Sequence, residues 1–301
     1  MSTLSDLVDE VKANLQGYTL NQDRLTYVAN TAGIDESSVA IQTGSASNLA
    51  KGIVEIDDEL IYVDSFDKTT NTLNVIPSGF GRGFQGTTAA SHARYAPVIL
   101  SPTFPRISVK RAINDTIGAV FPKLWGIAST SFTFNPAVST YSLPADAQDV
   151  LSVSWESVGP SKEWYPVKRW RPDSMANGTA FSTGNSISIY DGITSGRTVQ
   201  VWYTKEPTVL TNNSDDFTTV TGLTESCRDV IVLGAAYRLL SYLDPGRINL
   251  ASAEADTADT KLPSTAGTSA SRYIFALYQQ RLSEEASKLQ GKFPTRLRYN
   301  R

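Results

Sequence analysis

The 301-residue chain has one cysteine, Cys227, and one histidine, His92. A lone cysteine excludes an intramolecular disulfide framework and every multi-cysteine metal site. A lone histidine excludes a His-rich metal site, and any Ser-His-Asp or Cys-His catalysis would have to use this one imidazole. A basic excess is also missing. Lys and Arg number 27 against 30 Asp and Glu, for a formal charge of −3 and a pI near 5.3, whereas a general nucleic-acid binder needs a basic face that displaces counterions from phosphates. No stretch approaches the roughly 18 apolar residues of a membrane span. The opening MSTLSDLVDEVKANL has acids where a signal peptide has a basic and then an apolar run. A soluble protein made in a cytoplasm is the expectation.

What is present belongs to an ordered, interaction-rich protein: 41% apolar residues, 19% charged, 13 Tyr and 11 Phe. No repeat of 20–50 residues is visible, which argues against solenoids and propellers. Thr3 with Asp6 forms a capping-box pattern, and Leu4, Leu7, Val8, Val11 and Leu15 recur at helical spacing. From about Val39 to Leu100 the pattern becomes strand-like, as in GIVEIDDELIYVDSF, with turns at Asp57-Asp58 and Thr70-Asn71. A second helix carries Val109, Ile113, Ile117, Val120 and Leu124 on one stripe, with Pro122 to kink or end it. Short apolar segments from Ser129 to about Thr208, separated by Pro, Gly, Asn and Asp, read as an antiparallel sandwich or barrel.

Thr224 or Ser226 can cap a third, nearly all-apolar helix that Asp244-Pro245-Gly246 stops. Asn249–Thr268 reads as a mobile or partly helical linker, and a fourth helix aligns Ile274, Tyr278, Leu282, Ala286 and Leu289. The expected fold is α+β: a small helical bundle core (residues 1–34, 101–128 and 222–290) interrupted by a β-barrel or hairpin module at 35–100 and a β-sandwich-like insertion at 129–210. An extended basic tail, 291–301, follows. Each helix alone would leave an apolar stripe exposed, so packing together is the economical solution.

Candidate chemistry is sparse. GFGRGFQG has the spacing of a dinucleotide fingerprint in Gly81, Gly83 and Gly86, but that motif works by leading into a helix, and a strand pattern follows here, so it reads as a Gly-rich hairpin loop. Glu55, Asp57, Asp58 and Glu59 could be a carboxylate pair or a hard-cation site. Asp57-Asp58 falls at a turn that favours such residues without a ligand, and no second oxygen-rich loop is evident, so the cluster reads as a solvated turn. His92 reads as a solvated or locally hydrogen-bonded imidazole whose replacement by Ala leaves an assembly role intact. Cys227 reads as a small buried or half-buried residue in a helix's first turn. Trp155, Trp164, Tyr165, Trp170 and Trp202 read as core or interface, with a carbohydrate platform as the alternative. The tail is either a frayed end or a docking arm carrying Lys292, Phe293, Arg296, Leu297, Arg298, Tyr299 and Arg301. No catalytic, cofactor or metal site is assigned.

Two segments carry a resemblance. Gly52 to Leu100, with Arg82-Gly83, Gly86-Thr87-Thr88-Ala89-Ala90 and His92 closing it, resembles a β module recurrent in tailed-phage virion proteins. DVIVLGAAYRLLSYLDPGR with YIFALYQQRLSEEASKL is similar to head-to-tail connector (adaptor) proteins. The resemblance implies a non-enzymatic virion subunit that forms a homo-oligomeric, usually dodecameric ring in the neck, below the portal protein. It further implies helices around the channel through which genomic DNA passes without sequence-specific binding, a C-terminal tail on the portal, and a platform for a tail or neck protein, with no membrane partner. The alternative is a tail or baseplate component with a glycan-binding β-domain.

Overall fold

The structure is a computed structural model, and it describes residues 2–16, 23–45, 51–76, 80–159, 163–241 and 266–293. The architecture is mixed α/β with three antiparallel sheets. Contacts divide it into one unit of residues 1–7, 114–231 and 275–301 and another of 8–113 and 232–274.

Helix α1, Leu4–Gln16, starts where the capping pattern places it. Thr3 donates its backbone N–H and its hydroxyl to Asp6 at 2.8 Å each, and Asp6 N–H returns to Thr3 Oγ1 at 3.3 Å. Two orphan amides of the first turn are thereby satisfied. Leu4, Leu7, Val8, Val11 and Leu15 are all buried.

The unit containing residues 8–113 is built on a six-stranded sheet. Its strands are β1 (Arg24–Tyr27), β2 (Ala40–Gln42), β3 (Gly52–Ile56), β4 (Glu59–Asp67), β5 (Thr72–Val75) and β6 (Pro97–Leu100), in the order β1-β6-β3-β4-β5-β2. The sheet begins with β1, upstream of Val39 where the strand pattern becomes readable. The two turns fall where the Asp and Asn residues predict: Asp57 (φ 51) between β3 and β4, and Asn71 (φ 51) between β4 and β5, both short polar side chains that tolerate left-handed backbone. Val28, Ile41, Val54, Ile56, Ile61, Val63, Leu73 and Val98 form its core. Helix α2, Arg106–Ala119, ends three residues before Pro122.

In the other unit, β7 (Gly126–Thr133), β9 (Val150–Glu156), β10 (Trp164–Pro166) and β13 (Thr198–Lys205) form a sheet in the order β10-β9-β13-β7. β8 (Thr140–Ser142), β11 (Trp170–Asp173) and β12 (Ser186–Ile189) form another in the order β11-β12-β8. Val153, Val199 and Val201 of the first share one core with Ile187, Ile189 and Trp170 of the second, so the two sheets pack face to face as a sandwich. Helix α3, Phe217–Thr221, is capped by Asp216, which accepts from Thr219 N–H at 2.9 Å. The N-terminal residues are strapped alongside it: Leu4 N–H donates to Asp215 O at 3.1 Å, and Phe217 N–H to Ser2 O at 2.8 Å.

Helix α4, Arg228–Ser241, follows a 3₁₀ turn at Glu225–Cys227. Its expected stop at Asp244-Pro245-Gly246 and most of the 249–268 linker lie outside the described residues. Helix α5, Ala266–Lys292, starts inside the stretch read as linker and buries Ile274, Tyr278, Leu282 and Ala286. Gly291 and Lys292, read from sequence as the start of an extended tail, complete this helix.

Candidate functional site

The β3–β4 hairpin divides the acidic cluster between two faces, and the outcome corrects the solvated-turn reading. Cross-strand pairing sets Glu55 with Leu60 on one face of the sheet and Glu59 with Ile56 on the other; both glutamates are 1% exposed, while Asp57 and Asp58 stay at the turn. Buried carboxylates must be paired or hydrogen-bonded. Glu55 accepts from Lys12 Nζ at 3.0 Å and from the backbone N–H of Arg106 at 2.5 Å, so it caps the start of α2 with a carboxylate where the helix dipole favours one. Burial pushes its pKa up, against the pull of Lys12. Asp58 receives Lys110 at 2.8 Å and Arg106 Nε at 3.2 Å, and Arg106 also reaches Asp9 at 2.6 Å.

Glu59 is the hub. Its Oε1 accepts from Arg82 Nε at 2.7 Å and Gly83 N–H at 2.9 Å, and its Oε2 accepts from Arg82 Nη2 at 2.9 Å, Ala90 N–H at 3.1 Å and His92 Nε2 at 2.9 Å. Arg82 spends its remaining donors on the carbonyls of Asp35, Ser38 and Ala90. One guanidinium thus ties the β1–β2 and β5–β6 connections to β4 in the forked geometry that suits arginine. His92 is 5% exposed and places Nδ1 2.8 Å from Asp57. Of the two sequence readings, solvated or locally hydrogen-bonded, the structure shows the hydrogen-bonded imidazole.

Burial works against both charges, but the partners win. Arg82, His92 and the Gly83 and Ala90 amides bring Glu59 down to about 2, and Asp57 and Glu59 hold His92 up to about 9. His92 is therefore an imidazolium at neutral pH, donating from both nitrogens.

The sequence motif now has a physical content. Gly83 sits at φ 62, and a Cβ there would meet Thr87 O at 2.9 Å. A single 3₁₀ turn at Phe84–Gly86 follows rather than a phosphate-binding helix. Thr87 Oγ1 accepts from Leu60 N–H at 3.1 Å and donates to Phe84 O at 2.9 Å. The glycines shape a loop closed over a buried ion network. A carboxylate with five donors and a pKa near 2 is no general base, and an imidazole held charged near pH 7 is no proton acceptor. Among the described residues, no group of three or more His, Cys, Asp or Glu is placed to hold a metal ion. Cys227 is buried, and burial pushes its thiol pKa up, the opposite of an activated nucleophile.

The aromatic set divides. Trp170 is in the sandwich core and Trp155 packs against it, whereas Trp164, Tyr165 and Trp202 are 46%, 47% and 40% exposed. Trp202 stands between Ser129 and Ser152 on the outward face of its sheet.

At the C-terminus, α5 is fastened to the start of α4. Arg281 reaches Asp229 at 2.6 Å and Glu285 at 3.1 Å, and the buried Glu285 also accepts from Ser226 Oγ at 2.8 Å and Lys288 Nζ at 2.5 Å. Of the docking-arm residues, Lys292 ends the helix and Phe293 donates its N–H to Leu289 O at 3.0 Å. Arg296, Leu297, Arg298, Tyr299 and Arg301 lie outside the described residues.

No helix among the described residues is long and apolar enough to cross a membrane, and no curated protein matches the chain. The model of the SU10 adaptor protein family matches residues 87–287, from the Thr87–His92 end of the Glu59 network through α2, the sandwich, α4 and most of α5. That span is two thirds of the sequence and agrees with the resemblance to phage head-to-tail adaptors, and the chain belongs to the SU10 adaptor protein family.

Proposed function

We propose that this phage adaptor is a structural subunit of the virion neck, synthesised in the bacterial host cytoplasm. Copies of the chain close into a ring, dodecameric as in similar adaptors, below the portal protein and around the DNA channel. Heterologous contacts close only when their rotation matches the symmetry, which gives such a ring a fixed copy number. In this reading the helices form the bundle core, and the two β-rich parts are insertions that meet the neighbouring tail or neck protein. Genomic DNA passes without sequence-specific binding, as the chain's net negative charge favours. Neither an active site nor a cofactor is part of the mechanism.

The observation that carries the docking role is at the C-terminus. α5 is clamped through Arg281, Glu285 and Asp229 and runs unbroken to Lys292, directly ahead of a segment with Arg296, Arg298 and Arg301 and no acid. A clamped helix presents the arm Lys292, Phe293, Arg296, Leu297, Arg298, Tyr299 and Arg301 from a fixed base, and cations interleaved with apolar anchors suit an acidic groove on the portal. Removing residues 294–301 is expected to leave a folded protein that no longer joins portal, and unchanged assembly would overturn the arm. The exposure of Trp164, Tyr165 and Trp202 favours a second reading, a tail or baseplate component that binds host glycan. A glycan array probed with the full chain separates the two, because the adaptor reading expects no signal.

A further inference from the structure

Exposed sheet edges are templates for further pairing, and natural sheets blunt them with short strands, prolines and charges. Among the described strands, β1 and β2 meet each other through the Val28–Thr43 bridge, with Ala29 N–H donating to Gln42 O at 2.7 Å, and three of the other four strands that end a sheet are blunted. β10 has three including Pro166, β11 has four including Arg171, Pro172 and Asp173, and β8 has three. β7 is the exception: eight residues, GIASTSFT, with no proline and no charge, at the end of its sheet.

Its backbone direction follows from the ladder. Phe134 N–H donates to Arg197 O at 2.8 Å, continuing the register in which Thr133 faces Thr198. Phe132, Thr130 and Ala128 therefore bond to β13, and Ser129, Ser131 and Thr133 aim their N–H and C=O groups outward. All three are exposed. Among the described residues only the Gly126 end is covered, where a Cβ on Gly222 would meet Gly126 Cα at 3.2 Å and Ile127 N at 3.8 Å. The free edge is thus Ala128–Thr133.

We infer that this edge pairs with the same edge of a second copy of the chain, as an antiparallel two-fold ribbon centred on Ser131 that joins two four-stranded sheets into one. The occupant follows from composition. Like charges directly opposite are the common bar to self-pairing, and this stretch has none. With Ser131 on the axis, Ser131 faces its own copy and Ser129 faces Thr133 on the outer face, while Thr130 faces Phe132 on the inner one. Hydroxyl pairs and a β-branched–aromatic pair are the combinations that stabilise cross-strand neighbours. A cyclic ring has no two-fold axis between neighbours. On the adaptor reading the pair is therefore a state of the free subunit that opens before ring closure; the edge pairing itself does not depend on that reading.

The test is sedimentation equilibrium of the full chain and of Ser131→Lys and Ser131→Asp, each checked for wild-type circular dichroism. Wild type is expected to form dimers as concentration rises, and each variant alone to be monomeric. An equimolar mixture of the two should dimerise again, since the axis sets residue 131 beside its own copy. A wild type that stays monomeric, or a dimer insensitive to both substitutions, overturns the inference. Should a variant misfold, hydrogen exchange of wild type decides: the Ser129, Ser131 and Thr133 amides should slow with concentration, and concentration-independent exchange there overturns it equally.

Discussion

Replacing Glu59 by Gln probes the buried network most sharply, because it preserves the shape while removing the charge and turning one acceptor oxygen into a donor that faces other donors. Five donors converge on that carboxylate, two of them from Arg82 and one from His92, and both cations are buried. Removing one partner of a buried pair leaves the other desolvated and uncompensated, a loss of about 3–5 kcal/mol. The pH dependence gives an independent scale. His92 is raised from 6.5 to about 9, and about 1.4 kcal/mol per unit gives roughly 3 kcal/mol. Glu59 falls from 4.5 to about 2, also roughly 3 kcal/mol by the same conversion. The two figures share one contact and are not summed. Because the His92 pKa is raised, its contribution is complete below pH 6.5 and is lost as pH climbs through about 9. Because the Glu59 pKa is depressed, its contribution is complete above pH 4.5 and is lost as pH falls toward about 2. Urea unfolding of wild type between pH 6 and 10 should show stability falling over the alkaline window. Glu59→Gln should start several kcal/mol lower and lose most of that slope, and His92→Ala should also be destabilised. A Glu59→Gln variant within about 0.5 kcal/mol of wild type, the range of ordinary surface changes, would refute the network's role.

Gly83→Ala puts a side chain at φ 62 and 2.9 Å from Thr87 O, so a loss of about 1–3 kcal/mol is expected by thermal unfolding. Phe217 is fully buried in α3, and Phe217→Ala should cost about 3–5 kcal/mol in the same assay. Cys227, buried with a raised pKa, should react with a thiol reagent far more slowly in the native protein than in urea; equal rates would place the thiol at the surface.

Helix stripes and turns were legible because their information is local. The Thr3–Asp6 box, the Val109–Ile113–Ile117 stripe and the turns at Asp57 and Asn71 lie within windows of a few residues, where periodicity and left-handed tolerance act. The charge network was not legible for the opposite reason. Lys12 and Arg106 reach Glu55 across 43 and 51 positions, and Arg82 and His92 reach Glu59 across 23 and 33. A faint signal existed: Glu55 and Glu59 flanking the turn acids inside the run GIVEIDDELIYV, and Arg82 and the chain's one His in a loop rich in small residues. Strand β1 escaped because RLTY is too short for alternation to register, and the strap of Ser2 to Ser5 on residues 213–217 is a long-range backbone pairing with no side-chain pattern.

Cryo-electron microscopy of the neck of intact particles tests the adaptor account most directly. The account predicts this chain as a ring between portal and tail, with the segment after Lys292 against the portal. Density that places the chain elsewhere in the particle, or a ring whose C-termini face away from the portal, would contradict it.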